Sequence, residues 1–422
     1  KTADDVTIIR TLTDNTITWP SSITWNGGTA PTLLGANSYS LAGQVFNLVT
    51  YNGGTNWYGY EEVNSNNLQP YNLYTWGYNS EGALGQNNQV SYSSPTQVPG
   101  TTWTNICRRS NARAYHSLAT KEDGTLWVWG WNEMGTLGQN APYQSRRSSP
   151  VQIPGTWGAG AYLFAGNQST ALIKTDGELW VWGRNAYGVL GQNNRTSYSS
   201  PVQIPGTTWR KYYTQLEFGF SIATKTDNTL WSWGYAGYGM LGISDRTRRS
   251  SPVQVPGTTW NDVSAAERNA MATKTDGTLW VWGGNGYGML AQNSDDSDGK
   301  SSPVQVPGTT WSKVFGGVET LAAIKTDGTL WMWGKNQYGQ IGDNSVTHRS
   351  SPVQVPGTTW EDLWIGTYST GGKKSDGTIW SWGYSIFGNL GINNSGVKYS
   401  SPVQIPGTWS KYHGGWQVMG LK

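Results

Sequence analysis

The sequence predicts an all-β protein: a seven-bladed β-propeller, closed by both termini sharing one blade, plus a small N-terminal antiparallel β module. Three observations predict this fold. A Trp-Gly pair recurs seven times along the 422 residues, a Pro-containing motif alternates with it seven times, and the composition is rich in aromatic residues and glycine. We expect residues 1–65 to form the N-terminal module and residues 66–422 to form the propeller.

The composition favours short strands joined by tight turns. The chain has 26 Trp, 23 Tyr, 56 Gly and 18 Pro, and only 13% of its residues are charged. A net charge of +3 is too small to indicate a nucleic-acid partner, which would require a clustered basic face. The single cysteine, Cys107, excludes an intrachain disulfide. Apolar runs stay short of the ~20 residues that a membrane-spanning helix needs, so we expect no membrane insertion.

Two motifs define the repeat. The Trp-Gly glycines lie 49 to 53 residues apart, close to the period of kelch-type blades. They are Gly77, Gly130, Gly183, Gly234, Gly283, Gly334 and Gly383. The second motif, SSP(V/T)Q(V/I)PG, ends one or two threonines later at a tryptophan. These tryptophans are Trp103, Trp157, Trp209, Trp260, Trp311, Trp360 and Trp409.

One repeat, residues 260–308, illustrates the predicted blade. The segments TTWNDVSA, NAMATKT, TLWVWG and SSPVQVPG are predicted to be its four strands. Asp276 and Gly277 favour a two-residue hairpin between the second and third strands, because both residues tolerate positive φ. Within TLWVWG the two tryptophans share one face of the strand, and both faces of a blade pack against neighbours. We therefore expect structural roles for Trp129, Trp182, Trp233, Trp282 and Trp333.

The two ends of the repeat region complement each other. The hairpin lysine occurs six times rather than seven, and Lys422 falls where the seventh belongs. Residues 71–100 match the last two strands of a blade, and residues 408–422 match the first two. We expect these segments to form one shared blade that closes the ring.

These motifs resemble the regulator-of-chromosome-condensation repeat family, whose repeat combines Asp-Gly, a strand ending in Trp-Gly, Asn-x-x-Gly-x-Leu-Gly and a later Pro. Residues 175–193 here are TDGELWVWGRNAYGVLGQN, with six sister copies across residues 66–422. The resemblance implies a seven-bladed propeller with a shared closing blade. The family carries a Gly-His pair near the second strand, but only one repeat here keeps the histidine, His116. No family binding function therefore transfers through this position.

The first 65 residues do not repeat and alternate apolar and polar residues between Gly/Asn turns, as small antiparallel sheets do. Residues 17–31 (ITWPSSITWNGGTAP) and 52–59 (NGGTNWYG) resemble a module of tail and fibre proteins of tailed bacteriophages. The resemblance implies that this module anchors the chain to other virion proteins.

We expect no enzyme activity, no cofactor and no metal. His116, His348 and His413 lie in different repeats, without Cys or Glu at the spacing of zinc ligands. The sequence contains no serine elbow, phosphate loop or metalloprotease motif, and GGNGYG at residues 283–288 is interpreted as a turn because it opens no helix.

An acidic loop is the alternative metal site. Asp295, Asp296 and Asp298 lie in the variable segment of one repeat, but the complete calcium-binding loop with its final Glu is absent. We interpret this segment as a solvated loop, with calcium coordination as the alternative.

The candidate binding residues vary within a constant frame. The residue before each SSP is aromatic or cationic, and sevenfold repetition predicts a ring: Tyr92, Arg147, Tyr198, Arg249, Lys300, Arg349 and Tyr399. Its alternative interpretation is a solubilising rim. A second variable set lies before the hairpin lysines: His116, Gln168, Phe220, Arg268, Glu319, Tyr368 and Trp416.

The preferred functional hypothesis is a non-enzymatic bacteriophage virion structural protein: a tail-fibre, tail-tip or capsid-surface component. Its propeller would bind a host surface glycan or protein, or a neighbouring subunit. The alternative is a secreted bacterial adhesin, lectin or protein inhibitor. A third hypothesis, a guanine-nucleotide exchange factor, requires family-specific interaction loops and a basic nuclear tail that the sequence does not show.

Overall fold

In the computed structural model the chain divides into two compact units, Lys1–Gln69 and Pro70–Lys422. The first unit is described through four strands, Asp4–Ile9, Ile23–Trp25, Val45–Thr50 and Trp57–Glu62. The third strand pairs antiparallel with the first and fourth, and the second runs parallel to the fourth. Most of the sequence signatures at residues 17–31 and 52–59 lie outside the described residues.

The second unit is described over residues 71–109, 115–141, 143–215, 219–294 and 299–422. These residues form seven blades, each with four antiparallel strands in the order first, second, third, fourth, which confirms the predicted seven-bladed propeller. Blades 1 to 6 follow the chain, and blade 7 combines both ends of the repeat region. A further two-residue strand, Arg108–Arg109, lies parallel to the first strand of blade 2.

Equivalent strands have similar bounds from blade 1 to blade 7. The first strands are Trp103–Ile106, Tyr162–Ala165, Trp209–Gln215, Trp260–Ala265, Trp311–Gly316, Trp360–Ile365 and Lys411–His413. The second strands are His116–Lys121, Ser169–Ile173, Phe220–Lys225, Asn269–Lys274, Thr320–Lys325, Ser369–Lys374 and Gln417–Leu421. The third strands are Leu126–Trp131, Leu179–Gly183, Leu230–Gly234, Leu279–Gly283, Leu330–Gly334, Thr378–Ser385 and Leu73–Gly77. The fourth strands are Arg146–Ile153, Tyr198–Ile204, Arg249–Val255, Lys300–Val306, Arg349–Gln354, Val397–Thr408 and Tyr92–Gln97.

Blade 7 closes the ring as predicted. Its second strand, Gln417–Leu421, pairs antiparallel with its third strand, Leu73–Gly77, so that Gln417 faces Gly77 and Leu421 faces Leu73. The backbone of Lys422 also exchanges two hydrogen bonds with Asn72, at 3.0 and 3.1 Å. Residues more than 300 positions apart therefore share one sheet.

The hairpin between the second and third strands differs from the predicted two-residue turn. In blade 4 the Lys274 N–H donates to Thr278 O and the Gly277 N–H donates to Lys274 O, which encloses three residues. Gly277 has φ +78°, whereas Asp276 is not among the residues with positive φ. This is a type I turn followed by a left-handed residue, a common three-residue hairpin loop. The two-residue prediction was wrong because the Asp side chain instead caps the turn, accepting from the Thr278 N–H and hydroxyl.

Tryptophans join each blade to the one before it. The second tryptophan of each Leu-Trp-x-Trp strand is fully buried, which agrees with the predicted structural role. Its indole N–H donates to a loop carbonyl of the preceding blade at 2.7–2.9 Å in six blades. These donors are Trp129, Trp182, Trp233, Trp282, Trp333 and Trp382. Large aromatic burial and satisfied N–H groups together hold neighbouring blades in a fixed register.

The first strands lie towards the axis, because neighbouring first strands contact one another whereas the fourth strands are the more exposed. Asp262 illustrates the polar contacts here. Its carboxylate pairs with Lys211 of blade 3 and accepts from the Val314 N–H of blade 5 at 3.0 Å. One buried side chain thus links three blades.

Candidate functional site

The propeller has two unlike faces. Because strands alternate in direction, the turns between second and third strands lie on one face, which we call the hairpin face. The connections between first and second strands and between third and fourth strands lie on the other, which we call the loop face. Binding residues concentrate on loops that a rigid scaffold holds, so a face on which the loops differ between blades is the better candidate for a site.

The hairpin face is nearly identical in every blade. In blades 1 to 6 the hairpin lysine lies over two tryptophans, as in blade 4, where Lys274 Nζ is 4.9 Å from the Trp260 ring and 4.4 Å from the Trp280 ring. The hydroxyl of Thr278 donates to Asp276 and accepts from the Trp280 indole at 2.9 Å. These contacts satisfy the same groups in successive blades, so we interpret the face as structural.

The ring predicted from the sequence occupies one register position at the edge of the loop face. Each member pairs across the sheet with the glycine of a Trp-Gly pair. The members are Tyr92, Arg147, Tyr198, Arg249, Lys300, Arg349 and Tyr399. The backbone therefore places all seven at equivalent positions around the propeller.

Several ring members hold the loop of their own blade. Arg249 pairs with Asp245 at 2.7 Å, and Arg349 pairs with Asp343 at 2.6 Å. Burial opposes ionisation of Asp343, but hydrogen bonds from Ser345 and the Arg349 guanidinium outweigh it and lower the pKa of Asp343. The ring thus includes structural contacts.

Two of the three tyrosine hydroxyls in the ring also contact the loop of their own blade. Tyr92 and Tyr198 each accept a hydrogen bond at 3.0 Å, from the side chains of Asn88 and Asn194 respectively. Arg147 and Lys300, by contrast, are exposed. The ring therefore combines loop supports with exposed cations.

The second set named from the sequence mixes two register positions. His116 and Phe220 pair with the Trp-Gly glycines of their blades. The other members, such as Gln168, precede that position, and their carbonyls accept a backbone hydrogen bond from the residue after the glycine. The equivalent residues are Tyr115 and Gly219 rather than His116 and Phe220. The equivalent residue lies six positions before the hairpin lysine in all seven blades, whereas His116 and Phe220 lie five positions before theirs.

Side chains of neighbouring blades meet at every junction on the loop face. At four consecutive junctions a tyrosine of one blade lies under a cation of the next. The pairs are Tyr187 with Arg248, Tyr238 with Arg268, Tyr287 with Lys335, and Tyr338 with Lys398, at 5.1, 5.0, 5.0 and 5.2 Å. Cation–π contacts of this kind orient a charged group while leaving its other donors available.

The junctions around blade 7 are different. Five half-buried rings from blades 6, 7 and 1 form a continuous aromatic patch: Phe387, Tyr78, Trp416, Tyr115 and Trp131. Neighbouring ring centroids lie 4.8 to 6.3 Å apart. The repeat favours an aromatic residue at the position of Phe387, which is Tyr in four other blades, whereas at the positions of the other four rings most other blades carry Arg, Lys, Gln, Glu or Gly.

The junction between blades 1 and 2 is polar. Gln168 donates to Glu133 at 2.7 Å and accepts from Arg184. Burial raises the pKa of Glu133, and the hydrogen bond from Gln168 and the charge of Arg184 oppose that rise. Gln168 of the second set belongs to this group, and the charge of Glu81, which pairs with Arg146, adds to the rise in the pKa of Glu133.

Each of the three histidines contacts a neighbouring group of the propeller, and we interpret these contacts as structural. His116 is buried, and its Nε2 lies 2.8 Å from the Thr170 hydroxyl of blade 2. His348 Nδ1 accepts from the Asn336 N–H at 2.9 Å, and His413 Nε2 lies 3.4 Å from Asp362. Over the described residues no group of three or more His, Cys, Asp or Glu is placed to hold a metal. Asp295, Asp296 and Asp298 lie outside the described residues.

This architecture defines the class of protein. It is a closed propeller of seven four-stranded repeats, in which a Trp-Gly motif makes the contacts between blades. The chain belongs to the RCC1-like domain family, whose model matches residues 72–421. The segment that matches is the propeller. In the described part of the chain, no helix has the length and apolar character needed to cross a membrane.

Curated relatives match part of the chain. The ultraviolet-B receptor UVR8 of Arabidopsis thaliana is 28% identical over 277 residues, which are 64% of this chain and 62% of UVR8. The human E3 ubiquitin-protein ligase HERC2 is 27% identical over 284 residues, 65% of this chain but only 6% of HERC2. The chain thus spans less than two thirds of either relative.

Solved structures share the fold. Prp20p from Saccharomyces cerevisiae superposes with a TM-score of 0.72 at 17% identity, covering 84% of this chain and 92% of that one. Human WBSCR16 superposes with a TM-score of 0.69 at 19% identity, covering 83% and 99%. At these identities the similarity concerns the fold alone.

Proposed function

We propose that this protein is a non-enzymatic structural component of a bacteriophage particle, in a tail fibre, tail tip or capsid surface. In this proposal the propeller is a rigid platform whose loop face binds the host surface or a neighbouring subunit. The observation that carries the binding role is the aromatic patch. Its five half-buried rings lie together on the face where the blades differ, while the opposite face repeats one structural pattern.

Physical reasons support a binding role for this patch. Tyrosine and tryptophan contribute large contact areas with few rotatable bonds, and they are enriched at the energetic centres of interfaces. Rings that already pack edge to face lose little freedom when a partner covers them. The solved structure of Prp20p was described with its binding to Gsp1p and histones, so a propeller of this fold can act by binding proteins.

The particle context rests on the N-terminal sequence. Residues 17–31 and 52–59 resemble a tail and fibre module, and we propose that the first 65 residues anchor the chain to other virion proteins. The ring of Tyr92, Arg147, Tyr198, Arg249, Lys300, Arg349 and Tyr399 surrounds the same face, and its exposed members Arg147 and Lys300 would contribute polar contacts at the rim.

The localisation is tested by quantifying the protein in gradient-purified particles and in the particle-free lysate. Enrichment in particles at a fixed ratio to the major capsid protein is expected. Recovery only in the particle-free fraction would instead favour the secreted adhesin, lectin or inhibitor.

The binding role is tested separately with Phe387→Ala and Trp131→Ala. We expect at least a tenfold loss in host adsorption or subunit binding while the fold is retained. Tyr162→Ala is the matched control, because Tyr162 is an exposed aromatic residue at the hairpin-face end of a first strand. Equal effects of all three substitutions would contradict a site on the loop face.

A further inference from the structure

The four tyrosine–cation pairs of blades 2 to 6 form a second feature of the loop face, which we call the cation–tyrosine arc. It consists of Tyr187 with Arg248, Tyr238 with Arg268, Tyr287 with Lys335 and Tyr338 with Lys398. Each pair spans one junction, so successive cations are related by one blade step around the propeller. The arc lies outside the aromatic patch and uses none of its residues.

The end pairs of the arc are held from two sides. Arg248 lies over Tyr187 and also 5.7 Å from the Tyr235 ring, and these rings are 5.5 Å apart. Lys398 lies over the Tyr338 ring and 5.3 Å from the Tyr384 ring. These two rings are stacked, with their centroids 5.7 Å apart. Both cations are thus positioned by rings from two blades.

A glycine in the neighbouring blade makes room for the tyrosine ring of the first pair. A Cβ atom at Gly219 would collide with the Tyr187 ring, so glycine there allows the ring to lie against the backbone of the next blade. Arg268 and Tyr238 lie beside Gly284, where an added Cβ atom would be in ordinary contact with their Cβ atoms, at 3.4 and 3.9 Å.

The charges of the arc are only partly neutralised. Lys335 pairs with Glu319 at 2.5 Å, and Arg268 lies 3.6 Å from Glu267. Among the described residues, no carboxylate pairs with Arg248 or Lys398, and Arg248 Nε makes no hydrogen bond. Within the described residues the arc therefore has two cations without a carboxylate partner at its ends and two partly neutralised ones between them.

We propose that the cation–tyrosine arc binds an extended acidic polysaccharide. Stacked guanidinium and ammonium groups fit carboxylate or sulfate groups, and their repetition at successive junctions fits a ligand that repeats its charge along a chain. This proposal rests on the proposed function, because it gives the host-binding face a ligand class.

The surroundings favour a polar ligand with sparse charge. In the described loops of blades 2 to 6, Val346 is the one strongly exposed aliphatic side chain, so the arc lacks the apolar centre typical of a protein interface. Double-stranded nucleic acid carries one charge per about 1.7 Å of axis, whereas the arc offers one cation per blade junction and two of its four cations lie beside carboxylates. A sugar polymer with one acidic group per one or two residues has the sparser charge that this arrangement favours.

The experiment measures binding of the full chain to immobilised polygalacturonate and dextran sulfate, with uncharged dextran, a poly-glutamate peptide and single-stranded DNA as comparisons. We expect binding to at least one acidic polysaccharide that weakens with salt, and none to dextran. The double variant Arg248→Gln, Lys398→Gln is expected to lose at least tenfold in affinity. Polygalacturonate carries carboxylate groups and dextran sulfate carries sulfate groups. A comparison of the two affinities therefore shows which group the arc binds more tightly.

Arg195→Gln is the matched control, because Arg195 is an exposed loop-face arginine outside the arc, and we expect it to change affinity less than twofold. Tyr187→Leu, which removes the ring beneath Arg248, should lose affinity while the charge is unchanged. An equal loss in Arg195→Gln, no binding to either acidic polysaccharide, or tighter binding to poly-glutamate or DNA would overturn the proposal. Detection in particles does not depend on these measurements, so the two proposals fail independently.

Discussion

The indole N–H of Trp282 donates a hydrogen bond to the carbonyl of Met240, 2.9 Å away, and thereby joins blade 4 to blade 3. The equivalent bond is present in six of the seven blades, blade 4 included. In blade 7 the equivalent nitrogen, Trp76 Nε1, is buried and has no partner among the described residues. Trp76 packs against Trp409 and Tyr412 of its own blade at 5.6 Å. Among the described residues, the junction between blades 6 and 7 therefore lacks the indole hydrogen bond that the other six junctions have.

This difference predicts unequal costs for one substitution. Trp282→Phe removes the bond and leaves the Met240 carbonyl buried, whereas Trp76→Phe removes the same ring volume but no bond. We expect Trp282→Phe to lower the free energy of unfolding by about 1–3 kcal/mol more than Trp76→Phe does. Urea unfolding at pH 7 measures both. Equal costs would show that the inter-blade bond contributes nothing beyond packing.

The hairpin lysines should stabilise the propeller through their tryptophans. Lys274→Met keeps most of the apolar stem but removes the charge above two rings, and we expect a loss of about 1 kcal/mol in unfolding free energy. Lys422→Met is the control, since Lys422 lies 5.8 Å from the single ring of Trp409. A larger loss for Lys422→Met would contradict the cation–π interpretation. Thermal unfolding at low and high salt is the measurement.

The ring members should separate into loop supports and exposed cations. Arg349→Ala removes the partner of Asp343, whose side chain is only 4% exposed, and we expect a loss of about 1–2 kcal/mol in stability. Arg147→Ala removes an exposed side chain and should stay within about 0.5 kcal/mol of the parent. Paired denaturant titrations test this difference. Its absence would show that the Arg349–Asp343 contact is not stabilising.

Removal of residues 411–422 should open the ring. The truncation deletes Val418, Met419 and Leu421, which are fully buried, and exposes the edge of Leu73–Gly77. Each such side chain contributes about 1.5–3 kcal/mol through burial, so we expect a lower Tm and self-association through the free strand edge. Calorimetry and light scattering report these changes. A monomer with unchanged Tm would contradict closure by blade 7, and a synthetic 411–422 peptide should restore the Tm.

Acid should weaken the hairpin face. In five hairpins the hydroxyl of a threonine donates to the aspartate and, with its N–H, lowers the pKa of that aspartate below 3.8. A carboxyl whose folded pKa lies below its unfolded pKa stabilises the fold above the unfolded value and loses this contribution as the pH falls through the folded value. The urea midpoint should therefore decline below about pH 4. The aspartates are Asp123, Asp227, Asp276, Asp327 and Asp376.

The matched control for this prediction is the fivefold Asp→Asn variant, whose midpoint should be lower at pH 7 and less dependent on acid. The parent and the variant are compared at pH 7, 4 and 2.5. If both midpoints fall in parallel below pH 4, other carboxylates dominate the acid transition and the prediction is wrong.

The sequence alone determined the blade count, the strand order and the closing blade. This was possible because a blade is a local unit: the Trp-Gly and SSP motifs recur at nearly constant spacing, and Lys422 supplies the hairpin lysine missing from the first copy. The buried role of Trp182 and its equivalents followed from the same pattern. The type of hairpin loop did not follow from the sequence pattern. It is set by a side-chain hydrogen bond that Asp276 accepts from Thr278, which favours the three-residue loop over the two-residue turn.

The tertiary structure alone decided which loop residues meet. Tyr187 and Arg248 are 61 positions apart, and Phe387 and Tyr78 are over 300 apart, yet each pair is in contact across a junction. Only the structure showed that Arg349 is held by Asp343 whereas Arg147 is exposed. The physical reason is that repeat spacing specifies each blade by itself, while the loop face depends on side-chain contacts between blades, and no local pattern encodes those contacts.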